Sequence, residues 1–169
     1  YNDFNIERDS LKLDSMIEMV NDFLDRGIPI SGIGFQMHIR MDIPNEIIAK
    51  SLKKASKTGL QIHLSEVDII FNTHDDSKGG GIQIYDSLTS EMKLSQARKY
   101  SELVKIYQDV VPRKQQYGIT FWGFNDRDTW IRRFFNINDW PCIYDDNLLP
   151  KPAFYGFLNA LRKDNRISK

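Results

Sequence analysis

"LQIHLSEVDIIF", residues 60–71, is the stretch on which the reading of this chain turns. Its apolar run predicts a buried strand, yet it carries Glu66 and Asp68 two residues apart. In a strand that spacing aims both side chains one way, onto the face that also takes Leu60, Ile62 and Leu64. Ionised carboxylates are seldom buried unless something pairs with them, because taking a charge out of water costs several kcal/mol or more. Either the end of this strand opens into a site that uses the acids, or the acids are satisfied structurally.

On either side, helix and strand patterns alternate. Leu13, Met16, Ile17, Val20 and Leu24 follow helical spacing, with Gly27 as the stop. A strand is predicted over 28–39, then a helix opening at Pro44 with a stripe of Ile47, Ile48, Leu52 and Ala55 and a stop at Gly59. Leu94, Ala97, Val104 and Tyr107 predict a third helix, 117–124 a further strand and "PKPAFYGFLNALRK" a last helix. Tyr1 to Asn5 reads as the end of another strand. Strand followed by helix, four times over, predicts parallel strands with crossover helices.

Composition narrows the function classes. The 169 residues suffice for one domain with a real core, and 41% hydrophobic content argues against disorder. Twenty-three basic residues balance 23 acidic ones, which leaves no electrostatic footprint for nucleic acid or an anionic membrane. One cysteine, Cys142, excludes an internal disulfide and a cysteine zinc site. No apolar run approaches the ~20 residues of a membrane helix. The chain opens at Tyr1 rather than Met, which leaves room for an upstream targeting segment.

Helix-to-strand turns are short, but the strand-to-helix segments 72–93 and 125–151 are long. A long surface insertion is tolerated in many folds. Two on the same end of a parallel sheet, both bordering polar or aromatic strand ends, point instead to a site. Those strand ends carry Gln36 and His38, Glu66 and Asp68, and Trp122, with Trp130 following in the loop. Indoles stack on the C–H faces of sugars, an amide reads hydroxyls, and a glutamate can attack an anomeric carbon. The set fits polysaccharide chemistry.

"YNDFNIE", "GIGFQMH", "HLSEVD", "TFWGFNDRDTW" and "PKPAF" resemble, in order and spacing, the second half of glycoside hydrolase family 10, the endo-β-1,4-xylanases. The resemblance runs from Tyr1 to about Leu161. It implies a TIM (β/α)8 barrel of which this chain supplies about strands five to eight, with residues 1–169 as the C-terminal half of the catalytic domain. Glu66 then stands where the family places its nucleophile, His38 where a histidine hydrogen-bonds that nucleophile, and Asp68 where an aspartate orients the histidine. Gln36 matches a sugar-contacting glutamine, and Trp122 and Trp130 match the tryptophans of the glycone side. Phe4 takes the place of a tyrosine near the aglycone side, with Asn5 beside it.

The activity implied is retaining hydrolysis of xylan, through a covalent glycosyl-enzyme at Glu66 and a second carboxylic acid about 5–5.5 Å away. In the family that acid follows strand four, upstream of this chain. Asn45-Glu46 has the matching letters but opens a helix at the wrong topological place. The implied partners are xylan or xylo-oligosaccharide and the preceding half of the barrel, with no nucleic acid and no membrane insertion. No cofactor or metal is required, and the implied location is secreted, periplasmic or at the cell surface. Three alternatives stay open: a related β-1,4-glucanase, a catalytically silent carbohydrate-binding fragment, and a metal site on His74, Asp75 and Asp76 or on Asn125, Asp126 and Asp128.

Overall fold

The structure, a computed structural model, describes residues 1–75 and 80–164. Four strands, β1 (Asn2–Phe4), β2 (Gly32–Arg40), β3 (Gln61–Ile70) and β6 (Gln116–Phe121), form one parallel sheet in the order β1-β2-β3-β6. Asn2 pairs with Gly34 and Phe4 with Gln36 in the β1–β2 register. Helices α1 (Ser10–Asp25) and α2 (Asn45–Ser56) make the first two crossovers, and α3 (Ser90–Val110) precedes β6. The long segments hold structure of their own. Residues 72–93 contain an antiparallel hairpin of β4 (Thr73–Asp75) and β5 (Gly80–Ile82), and 125–151 contain the short helix α4 (Trp130–Phe135). Helix α5 (Pro152–Asp164) follows.

The chain divides into two compact units. The first comprises Tyr1–His38, Ile43–Val67 and Ile106–Thr120. Its α1 starts at Asp9, whose carboxylate accepts from the N–H groups of Leu11 and Lys12. It ends where Gly27, with φ +68°, lets the Ile28 N–H turn back to the Phe23 carbonyl. Along β2, Phe35 and Met37 are fully buried while Gln36 and His38 are half-buried, so one face packs on helices and the other stays polar. Full burial of side chains such as Phe35, Ile62 and Leu64 contributes about 1.5–3 kcal/mol each. Tyr107, on the end of α3, donates to the Ile62 carbonyl at 2.7 Å and fixes that helix to β3.

The second unit comprises Ile39–Asp42, Asp68–Lys105 and the chain from Phe121 on. Its core gathers Ile69, Tyr100, Leu103 and Val104, and a smaller cluster of Ile70, Ile131, Phe135 and Ile137. The Tyr100 hydroxyl donates to the Pro141 carbonyl at 2.6 Å, and Gln96 Nε2 to the carbonyls of Ile69 and Trp140. Two expected helix faces hold in part. On α3, Val104 and Tyr107 are buried as expected, joined by Gln96, Lys99, Tyr100 and Leu103, while Leu94 is 54% exposed. Ile47 stands outside the buried face of α2, which is Ile48, Ser51, Leu52 and Ala55. Strand β2 begins at Gly32 rather than residue 28, and β6 ends at Phe121, so Trp122 lies just past its strand. Gly123, with φ +81°, turns the chain there.

Candidate active site

In the first unit the expected alternation along β3 breaks at one residue. Glu66 has φ +56°, in the left-handed region that costs an L-residue roughly 1–2 kcal/mol. The consequence is visible in its neighbours. Ser65 Oγ donates to Asn2 Oδ1 at 2.8 Å, and Asn2 Nδ2 donates to Glu66 Oε1 at 3.4 Å. Two consecutive residues therefore reach the same side chain. Glu66 does not share the face of Ile62 and Leu64, as plain alternation predicts; it turns to the polar face instead. There His38 Nε2 lies 3.3 Å from Glu66 Oε2, and the two side chains are 15% and 20% exposed. With Glu66 ionised, this contact requires the proton on Nε2.

Asn2 and Ser65 are the members of this cluster that sequence reasoning did not single out. A signal for Asn2 was present at Gly34, its register partner, because a Cβ there would collide with the Asn2 side chain. Glu7 was likewise passed over. It is fully buried, and neither carboxylate oxygen reaches a hydrogen-bond partner elsewhere among the described residues; Arg8 Nε stands 3.8 Å away. Burial pushes its carboxyl up to about 7, against the pull of its own backbone N–H and of Arg8, His38 and Lys12.

Phe4 is 44% exposed, and Lys12 Nζ sits 3.7 Å from its ring centroid, so one ring face already carries a cation. Asn5 serves the turn into α1: Oδ1 accepts from Arg8 Nε at 3.0 Å and Nη2 at 2.7 Å. Gln36 is half-buried on β2.

In the second unit Asp68 is fully buried, and its Oδ2 accepts from Trp130 Nε1 at 2.8 Å. Trp130 is half-buried at the start of α4, packed on the Ile70–Phe135 cluster and edge-on to Phe135. Trp122 is 46% exposed. The polar residues of "FNDRD" are engaged structurally: Asn125 Oδ1 caps the Asp128 N–H, Asp128 Oδ1 accepts from Arg133 Nη2 at 3.3 Å, and Asp126 Oδ2 pairs with Lys151 Nζ at 2.8 Å. Burial pushes Asp126 up to about 6 and Lys151 down, each held back by the other's charge. Asp139 caps the N–H groups of Phe71, Asn72 and Trp140, and burial raises it also to about 6. Among the described residues no group of three His, Cys, Asp or Glu could hold a metal ion. His74 and Asp75 lie in β4, and Asp76 lies outside the described residues.

Residues 1–160 match the profile of glycosyl hydrolase family 10. The chain belongs to that family. It is 38% identical over 169 residues to endo-beta-1,4-xylanase Xyn10C from Cellvibrio japonicus, covering 95% of this chain and 28% of that protein. It is 34% identical to a thermostable celloxylanase from Thermoclostridium stercorarium, covering 95% of this chain and 40% of that protein. A solved structure of a xylanase 10C variant from Cellvibrio japonicus, in complex with xylopentaose, superposes with a TM-score of 0.84 at 39% identity over 95% of this chain and 33% of that one. The chain thus spans less than half the length of these relatives. Within family 10, its four-stranded parallel sheet is half of a (β/α)8 barrel.

Proposed function

We propose that this chain is the C-terminal half of the catalytic domain of a retaining endo-1,4-β-xylanase, with Glu66 as the nucleophile. The observation that carries this reading is the state of Glu66. It is partly exposed, both oxygens are engaged by His38 and Asn2, and its backbone is strained into a conformation that turns it from the helix-packed face. Strain of this kind persists where surrounding contacts over-determine it, and it clusters at functional sites. Glu66 attacks the anomeric carbon; the bond to the leaving oxygen breaks as the C–O bond to Glu66 forms. His38 holds the carboxylate in position through Nε2. Asp68 keeps the supporting role that the family resemblance gives it, with Oδ2 already engaged by Trp130.

The general acid/base comes from the preceding half of the barrel. It protonates the leaving oxygen and then activates the water that releases the sugar. Trp122 and Trp130 wall the glycone side, Gln36 reads a hydroxyl, and Phe4 and Asn5 border the aglycone side. The substrate is xylan or a xylo-oligosaccharide met outside the cell, as the family resemblance implies. The celloxylanase relative favours, as a second reading, a site that also accepts β-1,4-glucan.

Covalent trapping tests the proposal. An activated 2-deoxy-2-fluoro-xylobioside added to the protein carrying the whole barrel should add one glycosyl mass to the peptide containing Glu66. Label on any other residue, or none in an enzyme that turns over xylan, would remove Glu66 from the role.

A further inference from the structure

We propose that Lys151 is a positioning residue for substrate binding: its buried ammonium, clamped against Asp126, sets the loop that aims the Trp130 indole. The inference rests on Trp130 being a wall of the substrate cleft, as proposed above. Lys151 precedes α5 in the "PKPAF" segment and is 3% exposed. A lysine is almost never buried unless it is paired. Here each of its three protons has a partner: Asp126 Oδ2 at 2.8 Å, the Trp140 carbonyl at 2.7 Å and the Cys142 carbonyl at 2.7 Å.

From that clamp a continuous chain of bonds runs to the indole. Asp126 Oδ1 accepts from the Cys142 N–H at 2.8 Å, and the Asp126 N–H donates to the Tyr144 carbonyl at 3.0 Å. The Asp126 carbonyl accepts from the Thr129 N–H at 3.3 Å, which closes the turn into α4. Thr129 Oγ1 caps the Ile131 N–H, and between them Trp130 begins the helix and donates Nε1 to Asp68. From within α4, Arg132 Nε donates to the Asp139 carbonyl at 3.0 Å. The indole angle is therefore fixed by the loop.

Packing alone does not account for the charges. A buried ion pair replaced by apolar residues of similar volume is often no less stable. What an apolar pair cannot supply is direction: one ammonium holding one carboxylate and two carbonyls in a single register. Removing Lys151 leaves Asp126 buried and uncompensated, and frees the turn that orients Trp130.

The test is a double-mutant cycle in the protein carrying the whole barrel, with Lys151→Met, Trp130→Ala and the combination. KM and kcat for xylohexaose and the melting temperature are read for each. Trp130→Ala should raise KM several-fold, in keeping with the loss of one aromatic contact. Lys151→Met should raise KM by a similar factor with a smaller change in kcat. In the Trp130→Ala background it should add no further rise. If Lys151→Met does not fold, Asp126→Asn carries the cycle: its oxygen can still accept from the Cys142 N–H, while an amide NH2 in place of Oδ2 takes away both the charge and the acceptor that hold Lys151. Two KM effects that multiply independently, or a folded Lys151 or Asp126 variant with unchanged KM, would overturn the inference while leaving Trp130 a substrate wall. An unchanged KM in Trp130→Ala would overturn both.

Discussion

Around Glu66 the contacts are long and partly open: His38 at 3.3 Å and Asn2 at 3.4 Å, from side chains that solvent reaches, on a residue with left-handed backbone. Around Trp130 they are short and closed. Its indole bond to Asp68 is 2.8 Å, and its loop hangs on an ion pair whose side chains are 2% and 1% exposed. The difference follows from what each side chain is proposed to do. A nucleophile must form a bond and release it, so tight, saturated hydrogen bonds would hold it in its ground state. A stacking wall does nothing but keep its angle, and a buried, saturated network is the stiffest way to keep one.

The largest effect expected on this comparison is at Glu66 itself. Glu66→Gln should lower xylan turnover by several orders of magnitude while keeping xylo-oligosaccharide binding, as single nucleophile removals do elsewhere. His38→Ala should cost less and reshape the pH profile, because it takes away a positioning group and leaves the attacking one. Turnover of the two variants against pH measures this, and near-normal turnover in Glu66→Gln would end the assignment.

Next comes the stiffness of the second unit. Breaking a buried pair by removing one partner costs about 3–5 kcal/mol, so Lys151→Met should lower the denaturation midpoint sharply. Adding Asp126→Asn should recover much of the loss, because no charge is then left uncompensated. A double variant as unstable as the single one would mean that the ammonium's backbone contacts matter more than its charge.

Glu7 sharpens the comparison from the first unit, where a buried carboxyl lacks the saturation that Asp126 enjoys. Its folded pKa of about 7 lies above the ordinary glutamate value of 4.5. Its contribution to stability is thus fully present below about pH 4.5 and is lost as pH rises through about 7. The span corresponds to about 3 kcal/mol at most. Glu7→Gln should therefore stabilise the protein at pH 8 and change little at pH 4, measured by denaturant unfolding at both values. Equal effects at the two pH values would show that Glu7 stays ionised or stays protonated throughout.

The smallest effect belongs to Lys12, whose ammonium lies over Phe4 and pairs with Asp3 at 2.8 Å. Both contacts are partly exposed, and such interactions are commonly worth about 1 kcal/mol or less. Lys12→Ala should shift the melting temperature by only a few degrees. A KM change larger than the stability change would mark Phe4's ring face as part of the cleft.

Much of this was legible before any coordinates. Period-2 and period-3.6 patterns located the sheet strands and α1, α2, α3 and α5, because burial of one face is a local property that spacing records. The strand ends carrying Gln36, His38, Glu66 and Asp68 were legible for the same reason. The hairpin inside 72–93 and the helix α4 were not, since short elements in polar loops leave little periodicity. Spacing finds Val104 and Tyr107 on the buried face of α3 but not Gln96 and Lys99, because those are polar and only their partners in the fold make burial tolerable.

By itself the sequence determined the parallel β-α order, the identity of the acids and aromatics at the strand ends, and the family. Tertiary structure alone decided which way Glu66 turns. A single left-handed residue reverses alternation, and the side chain so turned meets His38 and Asn2, which come from β2 and β1. It likewise decided that Asp126 belongs to Lys151, 25 residues on, and that the glutamate at position 7 is sealed from water. The free energy of a charge is set by what surrounds it in space, and no spacing along the chain records that.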